Sequence, residues 1–316
     1  MPKLLFTSIG RRVQLLRHFQ QHGWHVIGVD VHPEECAAQH LVETIYEVPP
    51  CHHPQYFDNL LEICRQERVE WLIPLYEPEL PELAEFRPAF ERQGVKVLVA
   101  AEKSLSICRD KLKLHRFLRD RGLPSPDTYE EPFLLDDGSQ WVLKPRTGMG
   151  SKDVYIGGRQ DVVPMIGKVH APLIQRFIEG QEYSIDVFAT SKGQVLSVVP
   201  RHRLEVRAGE VSKSVTVVDE EVTRLSIRLI QELELTGPAT IQGIRDAGTG
   251  KFYFIEVNPR FGGGVPLTIE AGIPYADFLR ETYHQQVGTL HSYRTGLKML
   301  RYDEAVFVTE KGRVEA

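Results

Sequence analysis

Toward the end of the chain the sequence reads FYFIEVNPRFGGG (252–264). On a strand, residues two apart share a face at about 6.5–7 Å, so Glu256 and Asn258 point the same way. Two hard oxygen donors at that spacing can hold a divalent cation between them. Mg²⁺ suits the pair, because it accepts few protein oxygens and completes its octahedron with waters and substrate phosphates. Mn²⁺ is the other ion expected for such a set. Arg260 follows, with a planar fork matched to phosphate oxygens, and Gln242 on the preceding strand is placed to add a neutral oxygen.

A second segment, WVLKPRTGMGSKDV (141–154), delivers Lys144 from a strand into a turn bracketed by Gly148 and Gly150 and ending in Ser151. Glycines let backbone N–H groups wrap a phosphate chain, and a strand-borne lysine adds a fixed positive charge. The order of residues is not that of a Walker loop, in which G-x-x-x-x-G-K-[ST] precedes a helix. In LIQRFIEGQEYSIDV (173–187) an extended apolar run offers backbone groups to a base edge, with Glu182 able to accept ribose hydroxyls. PRHRLEVRAGEVSKSV (200–215) carries Arg201, Arg203, Arg207 and Lys213 within strands, suited either to anionic ligands or to a solvated face. No Ser or Cys triad is recognisable. Cys51-His52-His53 has no second ligand cluster at metal-binding spacing, so it reads as a loop.

These segments need a scaffold of strands and helices. The chain has 316 residues, 42% of them hydrophobic, with 38 Lys and Arg against 43 Asp and Glu and a net charge of -5. That balance gives no electrostatic case for binding nucleic acid or an anionic membrane. No apolar run approaches the length of a membrane span, and MPKLLFTSIGRR reads as a first strand rather than a signal peptide. Four scattered cysteines without a C-x-x-C pair argue for reduced thiols in a cytoplasm.

Residues 1–103 alternate strands (KLLFTSIG, WHVIGVD, WLIPL, VKVLVA) with helical patterns such as YFDNLLEICRQERV, where Phe57, Leu60, Leu61 and Cys64 recur at helical spacing. This predicts a parallel sheet covered on both faces. The G-x-G-x-x-G fingerprint is missing after the first strand, which weighs against a dinucleotide cofactor and an NAD-dependent oxidoreductase. RDKLKLHRFLRDRG predicts a helix, with Ser104 capping a short turn before it. Strands and hairpins dominate from there to residue 258, broken by the helix EEVTRLSIRLIQELEL. ETYHQQVG predicts a last helix and EAVFV a last strand.

Taken in order, these segments resemble the ATP-grasp superfamily, nearest to its carbamoyl-phosphate-synthase-like branch, over nearly the whole chain. The resemblance implies an α/β protein that is α+β in its clamp. A Rossmann-like pre-ATP-grasp domain (1–103) would precede a two-lobed ATP-grasp domain (104–290), with a small lobe at about 125–176 and a large lobe at about 177–290. A tail (291–316) would pack on the core. By the same match, Lys111 in DKLKLHRFLRDRGLPSPDT and Lys144 reach the ATP phosphates, with Gly148, Gly150 and Ser151 in the phosphate loop. Gln175, Phe177 and Ile178 in IQRFIEGQE frame adenine, and Glu182 binds ribose. Glu256 and Asn258, with Gln242, ligate Mg²⁺, and Arg260 stabilises phosphate. The family usually has glycine where Asp153 stands, and an acidic residue often occupies the position of Gln242.

The implied chemistry is ATP-dependent phosphorylation of a carboxylate to an acyl phosphate, which an amine then attacks. Arg201 and Lys213 would join Arg260 in offsetting the charge. Arg11 and Arg12, a pair that would suit a carboxylate, and Glu77, Glu79, Arg203, Glu205 and Arg207 are placed where they could line the acceptor cavity. The partners implied are small-molecule carboxylate and amine substrates, and a homodimer is the default for a soluble enzyme. Two alternatives stand beside this reading. One is a carbamoyl-phosphate-synthase-like subunit that phosphorylates bicarbonate or carbamate with a nitrogen-donating partner. The other is a non-catalytic nucleotide sensor.

Overall fold

The structure, a computed structural model, describes residues 1–132, 135, 138–148, 153–207, 209–283, 289–309 and 312–313. The leading unit holds β1 (Lys3–Thr7), α1 (Val13–Gln21), β2 (His25–Asp30), β3 (Thr44–Glu47), α2 (Tyr56–Glu67), β4 (Trp71–Ile73), α3 (Leu80–Arg92) and β5 (Lys96–Val97). Its strands form one parallel sheet in the order β3-β2-β1-β4-β5. Helices on both faces explain why Leu4, Leu5 and Phe6 of β1 are all fully buried. β3 and α3 carry weak signals in the sequence. Helix α3 runs through Pro88, which lies on its exposed side, while Leu80, Leu83, Ala84 and Phe90 are buried. Burial of that face outweighs the missing backbone hydrogen bond.

The helix expected over RDKLKLHRFLRDRG is α5 (Lys111–Asp120), and the short turn expected before it is a further helix, α4 (Glu102–Arg109). Asp110 separates them in an extended conformation, and its carboxylate accepts from the N–H groups of Leu112 (2.9 Å) and Lys113 (3.2 Å). It is the N-cap of α5. Ser104 is not a cap: it lies buried inside α4, and its hydroxyl donates to the Leu233 carbonyl at 2.6 Å.

A four-stranded antiparallel sheet follows, in the order β6 (Thr128–Tyr129), β9 (Pro172–Arg176), β7 (Trp141–Pro145), β8 (Tyr155–Gly157), with one helical turn, α6 (Arg159–Val162). Its own small core includes Trp141, Leu143, Val162 and Ile174. Beyond it lies a six-stranded antiparallel sheet built from β10 (Gly180–Ala189), β11 (Val195–Arg207), β12 (Glu210–Thr216), β13 (Gly237–Asp246), β14 (Phe252–Asn258) and β15 (Lys298–Leu300), in the order β14-β13-β10-β11-β12-β15. Helix α7 (Glu220–Glu232) buries Val222, Leu225, Leu229 and Ile230 in one apolar cluster with Ile185 and Ile241 of this sheet and Leu72 of the leading one. Phe188 and Val199 join Leu16 and Phe19 of α1 in a second. The two larger units therefore share cores, while the four-stranded sheet keeps its own.

The tail adds β15 to β12, with Lys213 opposite Leu300. EAVFV is irregular up to residue 307, and Val308–Thr309 pairs with Gly312–Arg313 instead. Among the described residues the last helical run is a turn of π-helix at Phe278–Thr282, and most of the expected ETYHQQVG helix lies outside them. Among the described residues no helix is long and apolar enough to cross a membrane.

Candidate active site

A cleft of about 410 Å³ opens between the four-stranded and six-stranded sheets. Lys111, Lys144, Gly148, Gln175, Phe177 and Ile178 line it from the first side, and Glu182, Gln242, Glu256, Asn258 and Arg260 from the second. Lys144 is buried, and its ammonium donates to Gln175 Oε1 at 2.8 Å. Gln175 in turn donates to the Thr128 hydroxyl at 2.9 Å, which fixes the lysine's direction. Burial, and then the neighbouring Lys111, lower the Lys144 pKa to about 8. Lys111 reaches across the turn to the Gly148 carbonyl at 3.2 Å. Gly148 has φ +130, a region only glycine occupies freely. Asp153, where the family has glycine, adopts φ +55, a left-handed conformation that Asp tolerates better than most residues. Gly150 and Ser151 lie outside the described residues.

Nucleotide affinity should carry the signature of Lys144. A cationic ammonium attracts phosphate and a neutral amine does not, so affinity for Mg-ADP should fall as pH rises from 7 to 9. Calorimetric titrations across that range test it. Lys144→Met should bind more weakly and lose most of the slope, and an unchanged slope would remove Lys144 from the phosphate site.

At the other wall a β-bulge decides the geometry. Gln242 pairs with Glu256, but Gly243 pairs with Phe254, leaving Ile255 unmatched. Strict alternation would put Glu256 on the same face as buried Phe252 and Phe254. The extra residue slips the pattern so that Val257 takes the core face beside those phenylalanines, and Glu256 and Asn258 turn to the cleft. With its amide turned to donate, Asn258 reaches Glu77 Oε2 at 2.7 Å and Glu256 Oε1 at 3.3 Å. Glu77, from the turn after β4, also pairs with Arg260 at 3.0 Å. Burial, assisted by Glu256, raises the Glu77 pKa against the pull of Arg260. Arg260 Nε is buried without an acceptor among the described residues.

This donor set fits a hard cation. An N–H or a cation can sit between the carboxylate oxygens, and half a turn of the Asn258 amide exchanges one for the other. Among the described residues no three His, Cys, Asp or Glu side chains form a cage. A carboxylate and an amide oxygen are the kind of hard donors that Mg²⁺ accepts. Gln242 sits opposite Glu256 across the ladder, and its Oε1 accepts from Arg203 at 3.4 Å. Arg203 also pairs with Glu182 at 3.3 Å. The Phe177 N–H is taken by the Gln140 carbonyl at 3.0 Å.

Several expected residues stand elsewhere. Arg201 borders the cleft but is only 1% exposed and is bound bidentately by Asp186, with both contacts at 3.0 Å. Its fork is occupied by the fold. Alternation along β12 buries Ser212 and Ser214 and turns Lys213 outward, where it pairs with Glu205 at 2.5 Å. Arg207 binds the same Glu205 at 3.0 Å, and none of these three lines the cleft. Glu79 is sealed in the leading unit, accepting from Thr7, Tyr56 and the Tyr76 N–H. Arg11 is 72% exposed at 3.9 Å from Glu210. Arg12 and Glu210 do line the cleft, and sequence spacing gave no signal for Glu210.

Two β-layers facing each other, with Lys144 on one beside Lys111 of α5 and a carboxylate–amide pair on the other, define a nucleotide clamp of the ATP-grasp class. Comparison with known proteins agrees. The family model described as ATP-grasp domain matches residues 108–264, and that of the PylC-like N-terminal domain matches residues 4–98. The chain belongs to the ATP-grasp superfamily, on its carbamoyl-phosphate-synthase-like side. It is 24% identical over 319 residues to the carbamoyl phosphate synthase large chain of Pseudothermotoga lettingae, covering 91% of this chain and 28% of that one. It is 24% identical over 236 residues to a carbamoyl-phosphate synthase of Methanobrevibacter smithii, covering 68% of this chain and 64% of that one. The chain thus spans less than two thirds of these relatives.

Among solved structures, biotin carboxylase from Campylobacter jejuni superposes with TM-score 0.75 at 14% identity, over 94% of this chain and 74% of the other. An L-amino acid ligase from Bacillus licheniformis gives 0.68 at 21% identity, over 90% and 74%. These likenesses show the shared fold.

Proposed function

We propose that the protein is an ATP- and Mg²⁺-dependent ligase, which phosphorylates a carboxylate to an acyl phosphate and joins it to an amine, releasing ADP and phosphate. For this purpose residues 1–103 form the pre-ATP-grasp domain, 104–290 the clamp and 291–316 the tail. The observation that carries the reading is the convergence of Lys111 and Lys144 with Glu256, Asn258 and Arg260 on one cleft. When bound, Mg²⁺ neutralises phosphate charge between the two anionic reactants. Lys144 and Lys111 hold the phosphate chain from one wall. Arg260, oriented by Glu77, presents its fork to the transferring group from the other. Gly148 leaves the loop backbone free to follow the phosphates. Aligning the reactants in this way can contribute about 7–11 kcal/mol. Cys36, Cys64 and Cys108 are buried and unpaired, in keeping with a reducing cytoplasm.

The matched carbamoyl phosphate synthases support a second reading, phosphorylation of bicarbonate or carbamate with a nitrogen-donating partner. Incubation with Mg-ATP and pools of amino acids or small carboxylates separates the two. ADP release that needs both a carboxylate and an amine supports the ligase, and release with bicarbonate alone supports the alternative. Nucleotide binding without stimulated release would make the protein a sensor.

A further inference from the structure

Arg12 and Glu210 line the cleft, and around Glu210 stands a concentration of guanidiniums that ATP and Mg²⁺ do not explain. Glu210, at the start of β12, faces three of them: Arg301 at 3.0 Å, Arg12 at 3.6 Å and Arg11 at 3.9 Å. They come from the C-terminal segment and from the turn between β1 and α1. Only the Arg301 contact is a hydrogen bond, and Arg301 is further tied to the Gly263 carbonyl.

Arg12 differs from the others. Its side chain is 23% exposed, it lines the cleft, and among the described residues its guanidinium has no hydrogen-bond acceptor. Burial and the surrounding arginines, Arg260 among them, lower its pKa against the pull of Glu210. A Cβ on Gly263 would come within 3.1 Å of the Arg12 guanidinium, so the glycine run leaves this face of the cleft bare. Counting Arg260, its partner Glu77 and the nearby Glu256, four cations stand against three carboxylates. An ammonium group entering here meets surplus positive charge, whereas an oxyanion is drawn in. Arg260, beside Glu256 and Asn258, marks the reacting end. Arg12 stands beside Gly263 and Glu210 in the same cleft, near enough to feel the Arg260 charge.

We propose that the substrate carboxylic acid carries a second oxyanion, bound by Arg12 at the Glu210 end of the cleft. The proposal rests on the ligase reading and names the substrate class for it. Arg12 and Glu210 are then specificity-determining residues: one binds the second anion, and the other competes with it for the same guanidinium.

The test uses the full chain saturated with Mg-ADP and titrated with defined probes: succinate and L-glutamate, phosphoglycolate, and the one-carboxylate counterparts butyrate and L-alanine. The two-oxyanion probes should bind at least tenfold more tightly than their counterparts. The carboxylate and phosphate arms show which second oxyanion is preferred. Arg12→Gln should abolish the preference and Arg12→Lys restore part of it, with Mg-ADP binding reporting that each variant is folded. Glu210→Gln should move the other way and tighten succinate severalfold, which loss of a merely structural contact would not do. Butyrate binding as well as succinate, a preference that survives Arg12→Gln, or weaker succinate binding in Glu210→Gln would overturn the proposal. A preference that holds in a protein releasing no ADP with any carboxylate and amine would instead defeat the ligase reading.

Discussion

Glu256→Ala should reduce ATP-dependent turnover at least about a thousandfold, equivalent to about 4 kcal/mol of transition-state stabilisation. The size follows from how few donors the site has. Asn258 contributes a neutral amide, Gln242 is partly engaged by Arg203, and Glu77 is held by Arg260. That leaves Glu256 as the carboxylate on the cleft-facing side of β14. Its loss should weaken Mg-ADP binding as well as catalysis, whereas Glu256→Gln should keep the shape and still lose most of the rate. Protein stability should change little, because Glu256 points into the cleft and Val257 supplies the core contact. The measurement is initial-rate ADP release at saturating Mg-ATP, with urea unfolding as the control. Activity within tenfold of wild type would remove Glu256 from the metal site.

The sequence made the site legible where chemistry depends on residue type, and less so where it depends on register. Lys144, Glu256, Asn258 and Arg260 follow from strand-borne cations and hard oxygens near a glycine-rich turn, and all four line one cleft. The bulge at Ile255 does not follow, because Gly243 marks it only once the close approach of Phe252 is known. Lys213 shows the converse case. Its charge suggests chemistry, yet the alternation of β12 buries the serines on either side and sends it to solvent. The Arg12–Glu210–Arg301 group joins three distant segments, a proximity that local pattern does not encode. In the fold, α3 is obscured by Pro88, and α4 by its short, mostly polar sequence, in which only Ser104, Leu105 and Cys108 are buried.

Arg201 is the residue on which charge and structure disagree most, and its partner provides the sharper test. Asp186→Ala should cost about 3–5 kcal/mol of unfolding free energy, the usual loss when one member of a buried ion pair is removed. Asp186 accepts both contacts from Arg201 and also the hydroxyls of Thr240 (3.0 Å) and Thr268 (2.5 Å), so its carboxylate ties together β10, β11, β13 and the helix α8 (Val265–Glu270). Without it the Arg201 guanidinium is stranded beneath Gly264, whose absent side chain leaves room for it and nothing to pair with it. Asp186→Leu combined with Arg201→Leu should be less damaging than Asp186→Ala, because no charge is then buried alone. Arg201→Lys separates the two roles. A lysine keeps the charge but cannot reproduce the fork, so stability should fall even where ADP release persists. Urea unfolding of the three variants settles the order. If Asp186→Ala costs less than about 1 kcal/mol while Arg201→Lys abolishes turnover in a fully stable protein, Arg201 works on the substrate rather than on the fold.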